Sequence, residues 1–236
     1  MKNLLVISFF LISVLSFSQE ILLEQNVLED EKPTLYGPNK KNYYHMYLGA
    51  GVLVGKTDKP ELEVKSGLQL MYGFRYKRRI ASFYAAGFDV SFLMNRFNIQ
   101  QDSLTIFPYK SINNKAWLTL PAIQGEIYNR FNLNKKRGNH VGTFIDIGGY
   151  AQWVYNAKYV MINKFETANQ SGAGKTKSIN NNLVYTNDFI YGLNFRLGFN
   201  KYLIYCSYRL TDVFKKQFIY PELPRINVGI QIGLHK

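Results

Sequence analysis

The chain has 236 residues, 47% hydrophobic and 16% aromatic, with a formal net charge of +13. Its single cysteine, Cys206, excludes an internal disulfide, and beyond the first residues no stretch approaches 18 uncharged apolar residues, which excludes membrane-spanning helices.

The chain opens as a secretory signal. Lys2 gives a positive start, LLVISFFLISVL (residues 4–15) is a short apolar run, and Ser16-Phe17-Ser18 supplies small residues before cleavage near Gln19. The apolar run is too short to span a bilayer as a helix. Residues 1–18 are thus a signal peptide, 19–42 a flexible polar tail with Pro33, Gly37 and Pro38, and 43–236 one all-β domain.

From residue 43 onward the periodicity is two, and helical periodicity is absent. Strands are expected at 43–54, 64–77, 82–97, 116–131, 141–156, 188–199, 202–210 and 224–234. Pro121 cannot donate to a ladder, so a bulge or an extramembrane end is expected there. The segment DFIYGLNFRLGFNKYLIYCSYRL (residues 188–210) is the clearest of these. A two-residue turn at Asn200-Lys201 pairs Phe199 with Tyr202, Leu197 with Ile204, Phe195 with Cys206 and Leu193 with Tyr208, all on one apolar face. The connections alternate, shorter at 77–81, 132–139 and 200–201, and longer at 55–63, 98–115, 157–186 and 212–223. The reading is an eight-stranded antiparallel up-and-down transmembrane β-barrel, with short periplasmic turns and longer external loops.

Glycine decides which face points inward. Eleven glycines, among them Gly49, Gly73, Gly148, Gly192, Gly198 and Gly229, fall on the polar face; Gly125 and Gly149 fall on the apolar one. An eight-stranded interior is just wide enough for side chains, and glycine mixed with polar residues fits it. A lumenal network of Arg75, Asp89, Glu126, Arg130, Asp146, Asp188, Arg196 and Arg209 is expected, with Glu126 and Asp146 paired to Arg130. Phe195, Leu197, Phe199, Tyr202, Ile204 and Cys206 are then lipid-facing. Tyr76, Tyr84, Phe131, Phe199 and Tyr202 form one aromatic girdle, and Trp117, Trp153, Tyr155, Phe189 and Tyr208 the other.

The chain resembles the small outer-membrane β-barrel proteins of Bacteroidota, the porT-like group. The resemblance is carried by a signal ending in SFSQ, LTLPAIQGEIYNRF (118–131), DIGGYAQWVYNAK (146–158), the 188–210 hairpin and INVGIQIGL (226–234). It implies an outer-membrane location in a Gram-negative bacterium and, in some members, service to secretion machinery.

No catalytic, cofactor or metal site is expected. GAGKTKS (172–178) has Asn169 where a phosphate-binding loop needs its first glycine, and it reads as an external loop. His45, His140 and His235 are scattered, and neither Ser91 nor Ser207 has a histidine partner on an adjacent strand. In an exported chain the positive charge points to outer-membrane lipids and lipopolysaccharide rather than nucleic acid. Arg78 and Arg79, with Lys135, Lys136 and Arg137, form basic periplasmic turns. The expected role is structural or accessory and non-enzymatic, the partners being envelope lipids or an envelope protein complex. A secretion or assembly subunit, a lipid-A-modifying enzyme and a narrow pore are the alternatives.

Overall fold

A computed structural model describes residues 37–55, 62–101, 105, 107–109, 113–134, 142–164 and 174–234. The signal segment, most of the expected tail, and Lys135, Lys136 and Arg137 lie outside the described residues.

The chain forms ten strands: β1 (Asn42–Val54), β2 (Val64–Arg79), β3 (Tyr84–Ile99), β4 (Lys115–Asn132), β5 (Thr143–Val154), β6 (Lys158–Lys164), β7 (Lys175–Asn181), β8 (Phe189–Phe199), β9 (Tyr202–Arg209) and β10 (Ile226–Leu234). Eight of them close into an antiparallel barrel in the order β3-β2-β1-β10-β9-β8-β5-β4, with β4 returning to β3. These are the eight strands that the alternating sequence predicts. The last strand closes on the first from Met46↔Leu234 to Val54↔Ile226. The β8–β9 hairpin has the expected pairing, Phe199↔Tyr202 through Leu193↔Tyr208. Its turn works because Asn200 takes a left-handed φ of 57°, a region that asparagine tolerates.

The two strands outside the ring correct the sequence reading of 157–186 as a plain loop. β6 continues along β4 beyond the point where β5 leaves it, and β7 pairs with β6. Pro121 marks that change of partner. Pairing to β5 begins at Ala122 and pairing to β6 ends at Thr119, so no ladder hydrogen bond on that edge needs a donor at 121. On its other edge Pro121 keeps regular register with Met94, so the expected bulge is absent.

The pleat sorts side chains to the two surfaces. Outward positions on all eight ring strands carry exposed apolar residues, such as Leu48, Leu70, Phe92, Ile127, Ile147, Leu193, Ile204 and Ile230. Inward positions alternate large against absent. Tyr47 sits opposite Gly73, Tyr128 opposite Gly87, Tyr150 opposite Gly192, Phe144 opposite Gly198 and Tyr205 opposite Gly229. Each ring lies over the glycine of its neighbour. A Cβ on Gly198 would fall 2.1 Å from the Phe144 ring, whereas nothing approaches within 4 Å of one on outward-facing Gly125.

This contrast gives a paired test. Gly198→Val should lower the unfolding free energy in detergent micelles by about 1–3 kcal/mol through overpacking, and Gly125→Val should change it by less than about 0.5 kcal/mol. Urea titration followed by tryptophan fluorescence reads both.

Candidate functional site

The middle of the lumen is a charge network built on strand register. Arg75 lies opposite Asp89, Asp89 opposite Glu126, Arg130 opposite Asp146, and Asp146 opposite Arg196. Arg75 Nε donates to Asp89 Oδ2 at 2.8 Å, and Tyr47 donates its hydroxyl to Asp89 Oδ1 at 2.7 Å. Arg130 grips Asp146 with two nitrogens, at 2.7 and 2.8 Å. Arg196 stands among all three carboxylates: it pairs with Glu126, and lies 3.5 Å from Asp89 and 3.7 Å from Asp146. Adjacent like charges Asp89 and Glu126 are thereby bridged by one guanidinium.

Three guanidinium groups thus meet three carboxylates, all buried. The arginine planes also stack on the rings that fill the glycine positions. Arg130 lies 3.6 Å from the Phe144 centroid, Arg75 4.4 Å from Tyr47 and Arg196 4.9 Å from Tyr128. Neutral amides extend the network toward the long loops. Asn194 donates to Glu126 at 2.9 Å, Gln152 to Gln124 at 2.8 Å and Gln69 to Asn95 at 2.7 Å. Tyr205 donates to Gln69 Oε1 at 2.9 Å.

The lumen then changes character. Leu93, Phe97, Leu118, Leu120, Val154 and Ile190 point inward nearer the long loops, so this part of the interior is apolar rather than polar as the sequence implied. A cavity of about 30 Å³ lies where the two zones meet, lined by Gln69, Asn95, Gln152 and Arg209 among others, with room for about one water. Above it a lid closes the long-loop end. Phe107 is its centre, with the rings of Tyr220, Phe214, Tyr159 and Tyr185 at 4.9, 5.1, 5.5 and 5.6 Å. Burial raises the Tyr159 phenol to about 12 and that of Tyr185 further, so both stay neutral at ordinary pH. Arg209 anchors the lid from below. It donates to Glu222 at 2.5 Å and to the carbonyl oxygens of Thr211 and Leu223 at 2.7 and 2.8 Å. Asn187 Nδ2 ties the two lid loops by donating to Asp212 O and Phe214 O.

The opposite end is clasped by the segment that leads into β1. Lys77 donates to Pro38 O at 2.5 Å and Arg79 to Asn39 O at 2.8 Å, while Gly37 N donates to Asn42 O at 2.9 Å. Residues 37–41 are therefore held against the barrel rather than part of a free tail. Lys77 is buried, and Arg78 is the exposed member of that basic run.

Of the residues singled out by sequence, Arg75, Asp89, Glu126, Arg130, Asp146 and Arg196 converge in one network. Glu126 takes Arg196 as its partner and leaves Arg130 to Asp146, because Arg130 is in register with Asp146. Arg209 is a lid anchor rather than a member of that network. Asp188 is not lumenal. It is exposed and precedes the first ring residue of β8, where its carbonyl accepts from Val154 N. Phe195, Phe199, Tyr202, Ile204 and Cys206 are exposed on the outer wall, with Leu197 half-buried between them. Among the described residues no group of three or more His, Cys, Asp or Glu could hold a metal ion. Comparison with protein-family models, curated proteins and solved structures finds no match in any of the three.

Removing one arginine strands its partners. Arg196→Met should destabilise the barrel by about 3–5 kcal/mol, and adding Glu126→Gln should recover part of that loss. Equilibrium unfolding of the single and double variants in micelles measures the difference.

Proposed function

We propose that the protein is an integral outer-membrane β-barrel, exported on a cleaved signal, with a structural or accessory role in the envelope rather than a catalytic one. The observation that carries this reading is the outer wall. Its apolar side chains are roughly half exposed on every ring strand, as with Ile230 at 56% and Phe92 at 58%. Soluble monomers rarely leave a contiguous apolar patch beyond about 300–600 Å² in water, and this one encircles the molecule. Lipid is the solvent it fits, since a closed barrel leaves no unpaired edge in the ring.

Aromatic residues band the wall at both ends. Tyr44 meets Phe74 at 5.7 Å, Tyr76 meets Phe88 at 5.3 Å and Tyr84 meets Phe131 at 5.6 Å near the short turns. Trp153, Tyr155, Phe189 and Tyr208 are exposed toward the long loops. These are the positions of interfacial girdles. On this reading the long loops and the β6–β7 hairpin face outward and the 37–41 clasp faces the periplasm. We read the chain as a porT-like barrel of Bacteroidota, a reading supported by the strand patterns it shares with that group. The filled lumen, with its charge network and aromatic lid, argues for a barrel that does not conduct.

One feature favours a second reading, service as a subunit of an envelope complex. Among the described residues β7 pairs on one side only, with β6, and extends the sheet past the ring. Such an edge offers backbone groups to a partner. Affinity purification from native membranes in mild detergent should then return a stoichiometric partner, and a monodisperse lone barrel counts against it.

The membrane reading is tested at Cys206, the exposed cysteine of β9. In intact outer membranes a lipid-soluble thiol reagent should label it and a membrane-impermeant one should not. Equal labelling by both, or recovery of the protein in soluble periplasm without heat-modifiable gel mobility, overturns the assignment. Reconstituted in planar bilayers, the protein should be electrically silent; defined single-channel steps would instead make it a pore.

A further inference from the structure

We propose that the outer wall over β2, β3 and β4, at its long-loop end, is a binding site for the phosphorylated headgroup of an outer-leaflet glycolipid. The inference rests on the membrane reading above. A recess of about 700 Å³ lies there, lined by Lys65, Arg96, Lys115 and Trp117 with Ser66 and Asn98.

Arg96 is the centre of the recess. It stands on the same outward face of β3 as Phe92 and Met94, and opposite Leu68 of β2, so it marks the upper limit of the apolar wall. Its guanidinium lies 4.2 Å from the Trp117 ring centroid, and its Nε donates to Asn98 Oδ1 at 3.1 Å. Asn98 in turn donates to Ser66 Oγ at 2.9 Å. The stack and the Nε bond fix the plane of the group. Neither Nη nitrogen makes a hydrogen bond among the described residues. A guanidinium held this way presents a planar pair of donors suited to a phosphate.

Two lysines flank it. The pairing of β2 with β3 shifts register between Val64 and Ser66. Such an irregularity re-aims side chains, and here Lys65 and Ser66 are both exposed beside the recess. Lys115 opens β4 and is also exposed. Among the described residues the lining carries no carboxylate. A solvated basic rim requires no such order. Here the cations ride on paired strands, one of them locked on an indole. Exposed Leu68 and Met94 of the apolar wall adjoin Arg96, where acyl chains attached to the same headgroup would lie.

The test uses the full chain purified in detergent micelles, with binding read by native mass spectrometry. The probes are bis-phosphorylated lipid A, its fully dephosphorylated form and inorganic phosphate. The variant Lys65→Gln/Arg96→Gln/Lys115→Gln should bind bis-phosphorylated lipid A roughly tenfold to a hundredfold more weakly than wild type. A charge-matched control, Lys201→Gln/Lys215→Gln/Lys216→Gln, should bind it as wild type does. Trp117→Leu should weaken binding with heat-modifiable mobility retained. Equal affinity for dephosphorylated lipid, or equal loss in the control, overturns the site. Displacement of the lipid by inorganic phosphate at matching affinity reassigns it to a free anion and overturns the glycolipid. A barrel that inserts into vesicles yet ignores the phosphates sinks this proposal alone; failure to insert sinks the membrane reading as well.

Discussion

An eight-stranded ring encloses barely enough space for the side chains that its own pleat sends inward. That limit governs the interior of this protein in two ways. Volume has to alternate, so inward rings lie over glycines of the adjacent strand, as Phe144 does over Gly198 and Tyr47 over Gly73. Charge has to cancel, so Arg75, Arg130 and Arg196 are matched by Asp89, Glu126 and Asp146 within hydrogen-bonding or ion-pairing distance. The two requirements are met by the same residues, because the rings that fill the glycine gaps are also the faces on which the guanidinium groups stack.

The interior is zoned along the barrel axis. Near the short turns a lysine and an arginine of β2 hold the backbone of residues 37–41. The ionic network occupies the middle, amides follow it, and the last layer beneath the long loops is apolar. The lid explains that last change. Phe107, Phe214 and Tyr220 shut out water there, so leucine and phenylalanine can line the wall beneath it. Arg209 joins the zones, since its guanidinium reaches from the strand into four groups of the loop above.

How much of this the sequence declares depends on what each segment touches. Ring strands have one wet or polar surface and one apolar surface, so period two is plain, and the β8–β9 register can be read from Asn200-Lys201 alone. The β7 segment KTKSINN is exposed on nearly every residue, so no alternation marks it as a strand. Leu118 and Leu120 blur the pattern of β4 because both of its faces are partly apolar in the lid-covered zone. The lid itself is assembled from residues as distant as Phe107 and Tyr220, and only the closed barrel makes them neighbours. Asp188 shows the reverse failure. Its parity is lumenal, but the wall has already ended at that height and parity no longer dictates surroundings.

The closure between the first and last strands carries a meaning of its own. Hydrogen bonds reach across that seam from β2 to β10, passing over β1: Arg75 Nη2 donates to Gln231 at 2.7 Å, and Asn227 donates to Gln69 at 2.5 Å. Every second residue of β10 points inward, and the inward positions read Asn227, Gly229, Gln231, Gly233. Sliding β10 by two residues against β1 would preserve its apolar outer face, so the wall alone cannot reject the slip. In the direction that brings Gly233 to the place of Gln231, it also brings Gly229 to the place of Asn227, leaving Arg75 and Gln69 without the partner that β10 supplies. The polar interior thus acts as a proofreader for the shear of the cylinder, penalising the one assembly error to which the outside is blind.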